Sequence, residues 1–213
     1  MRKRTSIRRR PSYVFYNIKI LFREEWKLVT LIALFLSGMI IGSSAVNSIN
    51  NEVNSRFVTL FSDYITMRST QSIFDTFTNS LFVNLIYLGI SFTAGLCAIG
   101  LPLIALSPFA KGVGIGMIAG YLYSSYAMTG AGFCLLIIFP GAIVATAALL
   151  FGCNESFVMS HELFNIVQGR APNNYGNLIK KYSARYGILL ILSVAASVIE
   201  TLLTVTFVGK FNL

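Results

Sequence analysis

Residues 88–121 read LGISFTAGLCAIGLPLIALSPFAKGVGIGMIAGY. Two apolar runs flank a short break at Ser107-Pro108-Phe109-Ala110-Lys111. The first run carries Gly100-Leu101-Pro102, and the second opens on Lys111 and repeats glycine at 112, 116 and 120. Glycines four apart lie along one helix face and leave it without side chains. In water such a helix is poor, because each interior glycine costs about 1 kcal/mol relative to alanine. In a bilayer the backbone has no water competing for its hydrogen bonds, and small residues let two helices approach closely. The stretch therefore predicts a membrane helical hairpin with a tight packing seam through Gly112, Gly116 and Gly120.

The composition agrees. Of 213 residues, 55% are hydrophobic and only 12% charged, about half the charged share of an ordinary soluble domain. Several apolar runs reach the roughly 20 residues that a helix needs to cross a bilayer. The expected class is an all-α polytopic membrane bundle of about five transmembrane helices with interfacial amphipathic helices. The net charge of +9 could suggest nucleic acid, but nine of the 17 basic residues precede the first apolar run. Clustering beside a span is the mark of a cytoplasmic flank and suits anionic lipid. Three cysteines, Cys97, Cys134 and Cys153, are too few for a disulfide framework.

Taken in order, residues 1–27 form a basic N-terminal segment, with a short surface helix expected over Tyr13–Trp26. The remainder, 28–213, reads as one bundle with spans at about 28–48, 81–106, 112–126, 133–151 and 187–208. The first span is read as uncleaved and carries a Gly38/Gly42 pair suited to a close helix contact. Residues 49–79 leave the bilayer; Val53, Phe57, Leu60, Phe61 and Tyr64 make one stripe of an amphipathic helix there. Pro102 is expected to kink or end the second helix. Lys111 is expected at the cytoplasmic edge, with a buried ion pair to Glu200 as the alternative. Tyr121, Tyr123 and Tyr126 read as interface anchors, and Thr129–Gly132 as an outer turn. Phe157, Phe164 and Val167 suggest a further interfacial helix. The orientation with the N-terminus in the cytoplasm and the C-terminus outside places 14 basic residues inside against three outside.

Ile99-Gly100-Leu101-Pro102, then Phe109-Ala110-Lys111-Gly112, then the glycine ladder resembles the core of the stage II sporulation protein M family. The likeness spans roughly residues 28–152 and is sharpest over 84–120. One departure is visible. Many members of the broader family read Leu-Pro-His-Gly-x-x-Glu where this chain has Phe139-Pro140-Gly141-Ala142, with Ala145 at the position of the glutamate. Any role of that histidine and carboxylate is not carried over.

No catalytic constellation is legible. The single histidine, His161, has no companion at metal-ligand spacing. The glycines from 112 to 120 lack the Lys-Ser/Thr of a phosphate loop. No catalytic residue, metal or cofactor is expected, and the chain is not expected to be an enzyme. Glu200, in SVIETLLTV, is the one carboxylate expected at membrane depth and is a functional candidate for that reason, with Thr201 or Thr204 as hydrogen-bond partners. The family resemblance implies a membrane scaffold in forespore engulfment that holds peptidoglycan-degrading partners, stage II sporulation proteins D and P, at the septal membrane. The alternative is a small transporter or permease subunit.

Overall fold

The structure is a computed structural model that describes residues 26–48, 72–169 and 175–207. Residues 1–25 of the basic segment with its expected surface helix, and most of the expected external amphipathic segment, lie outside the described residues. The described chain forms α1 (Trp26–Ser48), α2 (Ile73–Gly95), α3 (Leu101–Phe133), a π-helical segment (Cys134–Ile138), α4 (Phe139–Val167) and α5 (Tyr175–Phe207). No strand occurs among the described residues. The protein is an all-α polytopic membrane helical bundle.

Four stretches, and not five, are long and apolar enough to cross a membrane: Trp26–Val46, Ile73–Gly95, Leu101–Val167 and Gly176–Phe207. The third, 67 residues long, contains both the expected third and fourth spans, two helices that follow one another without an intervening loop. Straight, that length would reach about 100 Å. Instead the chain reverses at Ala127, whose backbone adopts φ 47° and ψ −125°. Leu122 and Phe133, on either side of the reversal, pack in one buried cluster with Ile137 and Ile138. Gly130 lies against the Leu122 carbonyl, where any side chain would collide. The expected turn at 129–132 is thus displaced to Ala127, and Tyr121 is buried in the bundle instead of anchoring an interface.

The break between the first two apolar runs is also displaced. It falls at residues 96–100, and helix α3 continues unbroken through Ser107, Pro108 and Lys111. At the end of α2, the Leu96 N–H bonds back to the carbonyls of Phe92 and Thr93. A Cβ on Gly100 would strike the Ala94 carbonyl, so only glycine lets the chain fold back there. Pro102 occupies the first turn of α3, where its missing N–H has no partner to lose. It starts a helix and does not kink one. Pro108 is the interior proline, fully buried among neighbouring helices, a setting in which membrane helices tolerate it. The second span accordingly covers 73–95 and not 81–106. The expected interfacial helix around Phe157–Val167 is the continuation of α4.

Packing places α1 against α3, and α5 against α4 and α2. Leu31, Ala94, Ile104, Leu149 and Cys153 form one core cluster, drawn from the first four helices. The outer faces are as apolar as the core: Ile188, Ile191, Ile143 and Leu202 are each more than 60% exposed. Water would not tolerate such a surface, and hydrocarbon does. At one end of the bundle Trp26 packs edge-on against Phe157, the Lys27 ammonium lies 4.7 Å from the same ring, and Arg185 pairs with Glu155.

Candidate functional site

Helix α3 carries two different faces. Toward α1 it presents Gly112, Gly116 and Gly120. A Cβ on Gly112 would strike the Phe35 carbonyl, one on Gly116 the Met39 carbonyl, and one on Gly120 would come within 2.9 Å of Ser43 O. The contact is reciprocal, because Gly38 and Gly42 of α1 meet the carbonyls of Phe109 and Val113. All five glycines singled out from the sequence lie in this one seam, with backbone against backbone.

The opposite face of α3 borders an intramembrane cavity of about 440 Å³. Helix α2 supplies Ser80, Asn84 and Tyr87 to its lining, α3 supplies Lys111, Gly114 and Ile115, and Glu200 comes from α5. Lys111 does not lie in a turn between helices. It lies ten residues into α3, about 15 Å along the axis. It is 7% exposed, and its ammonium donates to Asn84 Oδ1 at 3.0 Å. The Asn84 amide in turn donates to Ser197 Oγ at 3.3 Å, joining α3, α2 and α5. Lys111 Nζ also stands 5.7 Å from the centre of the Tyr87 ring.

Glu200 borders the same space. Its carboxylate accepts a hydrogen bond of 2.5 Å from Ser80 Oγ, not from the threonines expected. Thr204 bonds instead to the Glu200 main-chain oxygen, and Thr201 to that of Ser197. Asn84, Ser80 and Ser197 were not singled out from the sequence. Asn84 left a signal, as the one amide in the apolar run from Leu81 to Gly95.

A second polar cluster lies nearer the Trp26 end. Ser156 donates to the Ser91 carbonyl at 2.8 Å, and the Tyr182 hydroxyl to that of Phe92 at 2.9 Å. The Tyr186 hydroxyl donates to the Gly152 carbonyl at 2.9 Å. Ser91, Ser156, Tyr182 and Tyr186 are all buried. These bonds tie α2, α4 and α5 together, as interhelical hydroxyls do in hydrocarbon. His161 is exposed and contacts Asn165 on its own helix.

The residues of the sequence motif are spread over this frame. Ile99 and Gly100 lie in the turn before α3, Leu101 and Pro102 begin it, and Phe109, Lys111 and Gly112 lie within it. The model of the stage II sporulation protein M family matches residues 31–205, from α1 through α5. The chain belongs to the stage II sporulation protein M family. Comparison with curated proteins and with solved structures gives no match. The family match reaches well past residue 152 and takes in Glu200.

The departure from the family pattern on α4 falls on the same cavity. Ala145, at the position of the pattern's glutamate, lines it. Gly141, at the position of the histidine, faces Glu200: a Cβ there would come within 2.7 Å of the Glu200 Cβ. A histidine at 141 and the present course of α5 are therefore incompatible. The carboxylate of Glu200 borders the cavity from α5, and Gly141 on α4 makes room for it.

Proposed function

We propose that this sporulation-family membrane protein is a scaffold that localises peptidoglycan-degrading partners at the septal membrane during engulfment. The observation that carries the reading is the α1–α3 seam. Five glycines bring two backbones into contact, which gives the polypeptide between α1 and α2 a fixed base. The buried hydroxyls of Ser156, Tyr182 and Tyr186 are engaged between helices and brace the bundle. Family membership supplies the process, and the amphipathic stripe between residues 53 and 64 supplies a docking face. The partners are then proteins outside the membrane, peptidoglycan hydrolases of the stage II D and P type, together with membrane lipid. The orientation is N-terminus in the cytoplasm and C-terminus outside. With Lys111 inside the bundle, the basic residues of that orientation stand at thirteen against three.

A second reading, a small transporter or permease subunit, is favoured by the cavity holding Lys111 and Glu200. One experiment separates the two. The tagged protein, and a variant lacking residues 49–71, are purified from native cells in mild detergent and their partners identified by mass spectrometry. The scaffold reading expects hydrolases with the full chain and their loss from the variant while it remains membrane-inserted. Hydrolases recovered equally with both would overturn the docking role of the segment. An ATP-binding subunit in their place would establish the permease reading.

A further inference from the structure

The cavity beside α3 has the chemistry of a binding site, independently of the scaffold reading. Its two charged side chains stand on different walls. Lys111, almost fully buried, gives one of its three ammonium hydrogens to Asn84, and a buried ammonium gains by filling the others. Glu200, braced by Ser80, faces the space from α5. A purely anionic ligand would gain Lys111 and be repelled by Glu200; a purely cationic one would meet the reverse. A ligand carrying both charges satisfies both walls.

Two features give the ligand an apolar part. Ile115, Ile118 and Ile138 also line the cavity, and so do Phe82 and Val83, which are 62% and 50% exposed on the outer surface of the bundle. The cavity thus meets the hydrocarbon at its side. Gly114 also lines it, and here the glycine has no packing reason. A Cβ at 114 meets nothing within 4 Å, whereas one at 112 or 116 would strike α1. The missing side chain leaves open volume, and about 440 Å³ lies within the range of small-molecule sites.

We propose that this cavity holds the headgroup of a zwitterionic phospholipid with a primary ammonium, the phosphate at Lys111 and the ammonium at Glu200, with the acyl chains leaving over Phe82 and Val83. The test titrates the delipidated protein in detergent with phosphatidylethanolamine, phosphatidylglycerol and free phosphoethanolamine, read by native mass spectrometry. The ethanolamine lipid should bind about tenfold more tightly than either of the others. Over phosphatidylglycerol it adds a charge-assisted hydrogen bond to Glu200, and over phosphoethanolamine it adds burial of its chains, and either is enough for a factor of that size. Gly114→Leu should weaken it about tenfold while the variant elutes as the wild type, because it fills the cavity and leaves the seam untouched. Glu200→Gln should remove the preference over phosphatidylglycerol, an effect that loss of fold would not mimic. Equal binding of the two lipids to the wild type, or unchanged binding by Gly114→Leu, would overturn the site. Free phosphoethanolamine binding as tightly as the lipid would overturn the lipid as occupant.

Discussion

The two faces of α3 use the same residue to opposite ends. On the α1 side, Gly112 and Gly116 are places where a side chain has no room, since the carbonyls of Phe35 and Met39 already occupy it. On the cavity side, Gly114 is a place where a side chain has ample room and is absent. The first arrangement strengthens dispersion attraction and excludes lipid along a line. The second leaves space beside a buried charge, which in a helix bundle is a cost unless something fills it. The seam is built to be closed and the cavity to be entered.

Gly116→Leu should break this comparison most severely. The new side chain is aimed at the Met39 backbone, which cannot turn aside as a flexible side chain can. Overpacking of this kind costs about 3 kcal/mol, at the upper end of the usual range. Reversible unfolding in mixed micelles would measure it, and the same substitution at Gly114 is the control. Equal losses at the two positions would mean that α1 and the cavity are not on opposite faces of α3.

The polar side can be stressed next. Asn84→Leu removes the acceptor of a buried ammonium and the donor to Ser197. Leaving such a charge without its partner should cost about 2 kcal/mol. Adding Lys111→Met removes the stranded charge as well, so the double variant should recover most of the loss. This rescue, followed in the same micelle titration, distinguishes a Lys111–Asn84 couple from two independent side chains. A double variant as unstable as the sum of the singles would count against the couple.

Much of this was legible in the chain, and the errors have one source. The glycine seam follows from spacing alone, because residues four apart share a helix face whatever surrounds them. The position of the first break does not. Ser107-Pro108 reads as a turn by local preference, yet α3 runs through it with Pro108 buried. The actual break at 96–100 has the quieter signature of Gly100 before and Pro102 just inside a helix start. Moving the break some ten residues toward the N-terminus carries Lys111 from a turn between helices to the interior of α3. The cavity could not be read at all. Asn84, Lys111 and Glu200 lie on three helices, 27 and 89 residues apart along the chain, and only tertiary packing joins them. Nor does spacing distinguish Gly114 from its neighbours, since that depends on which face meets α1.

That last distinction gives the smallest effect and the finest test. Alanine adds one methyl group. At Gly114 the methyl enters open space and removes the conformational freedom of a helical glycine, so Gly114→Ala should stabilise the protein by about 0.5 kcal/mol, within the usual gain at a compatible site. At Gly112 the same methyl meets the Phe35 carbonyl, and α1 must move away along its length, so Gly112→Ala should destabilise. The two substitutions share chemistry, helix and membrane depth to within one turn. Their difference in sign, measured side by side in one detergent, isolates the contact with α1 from every property of glycine itself. If both stabilise, the seam is looser than backbone contact and α1 is held by its other side chains. If both destabilise, the cavity beside Gly114 is closed in the folded protein, and with it goes the room for a lipid headgroup.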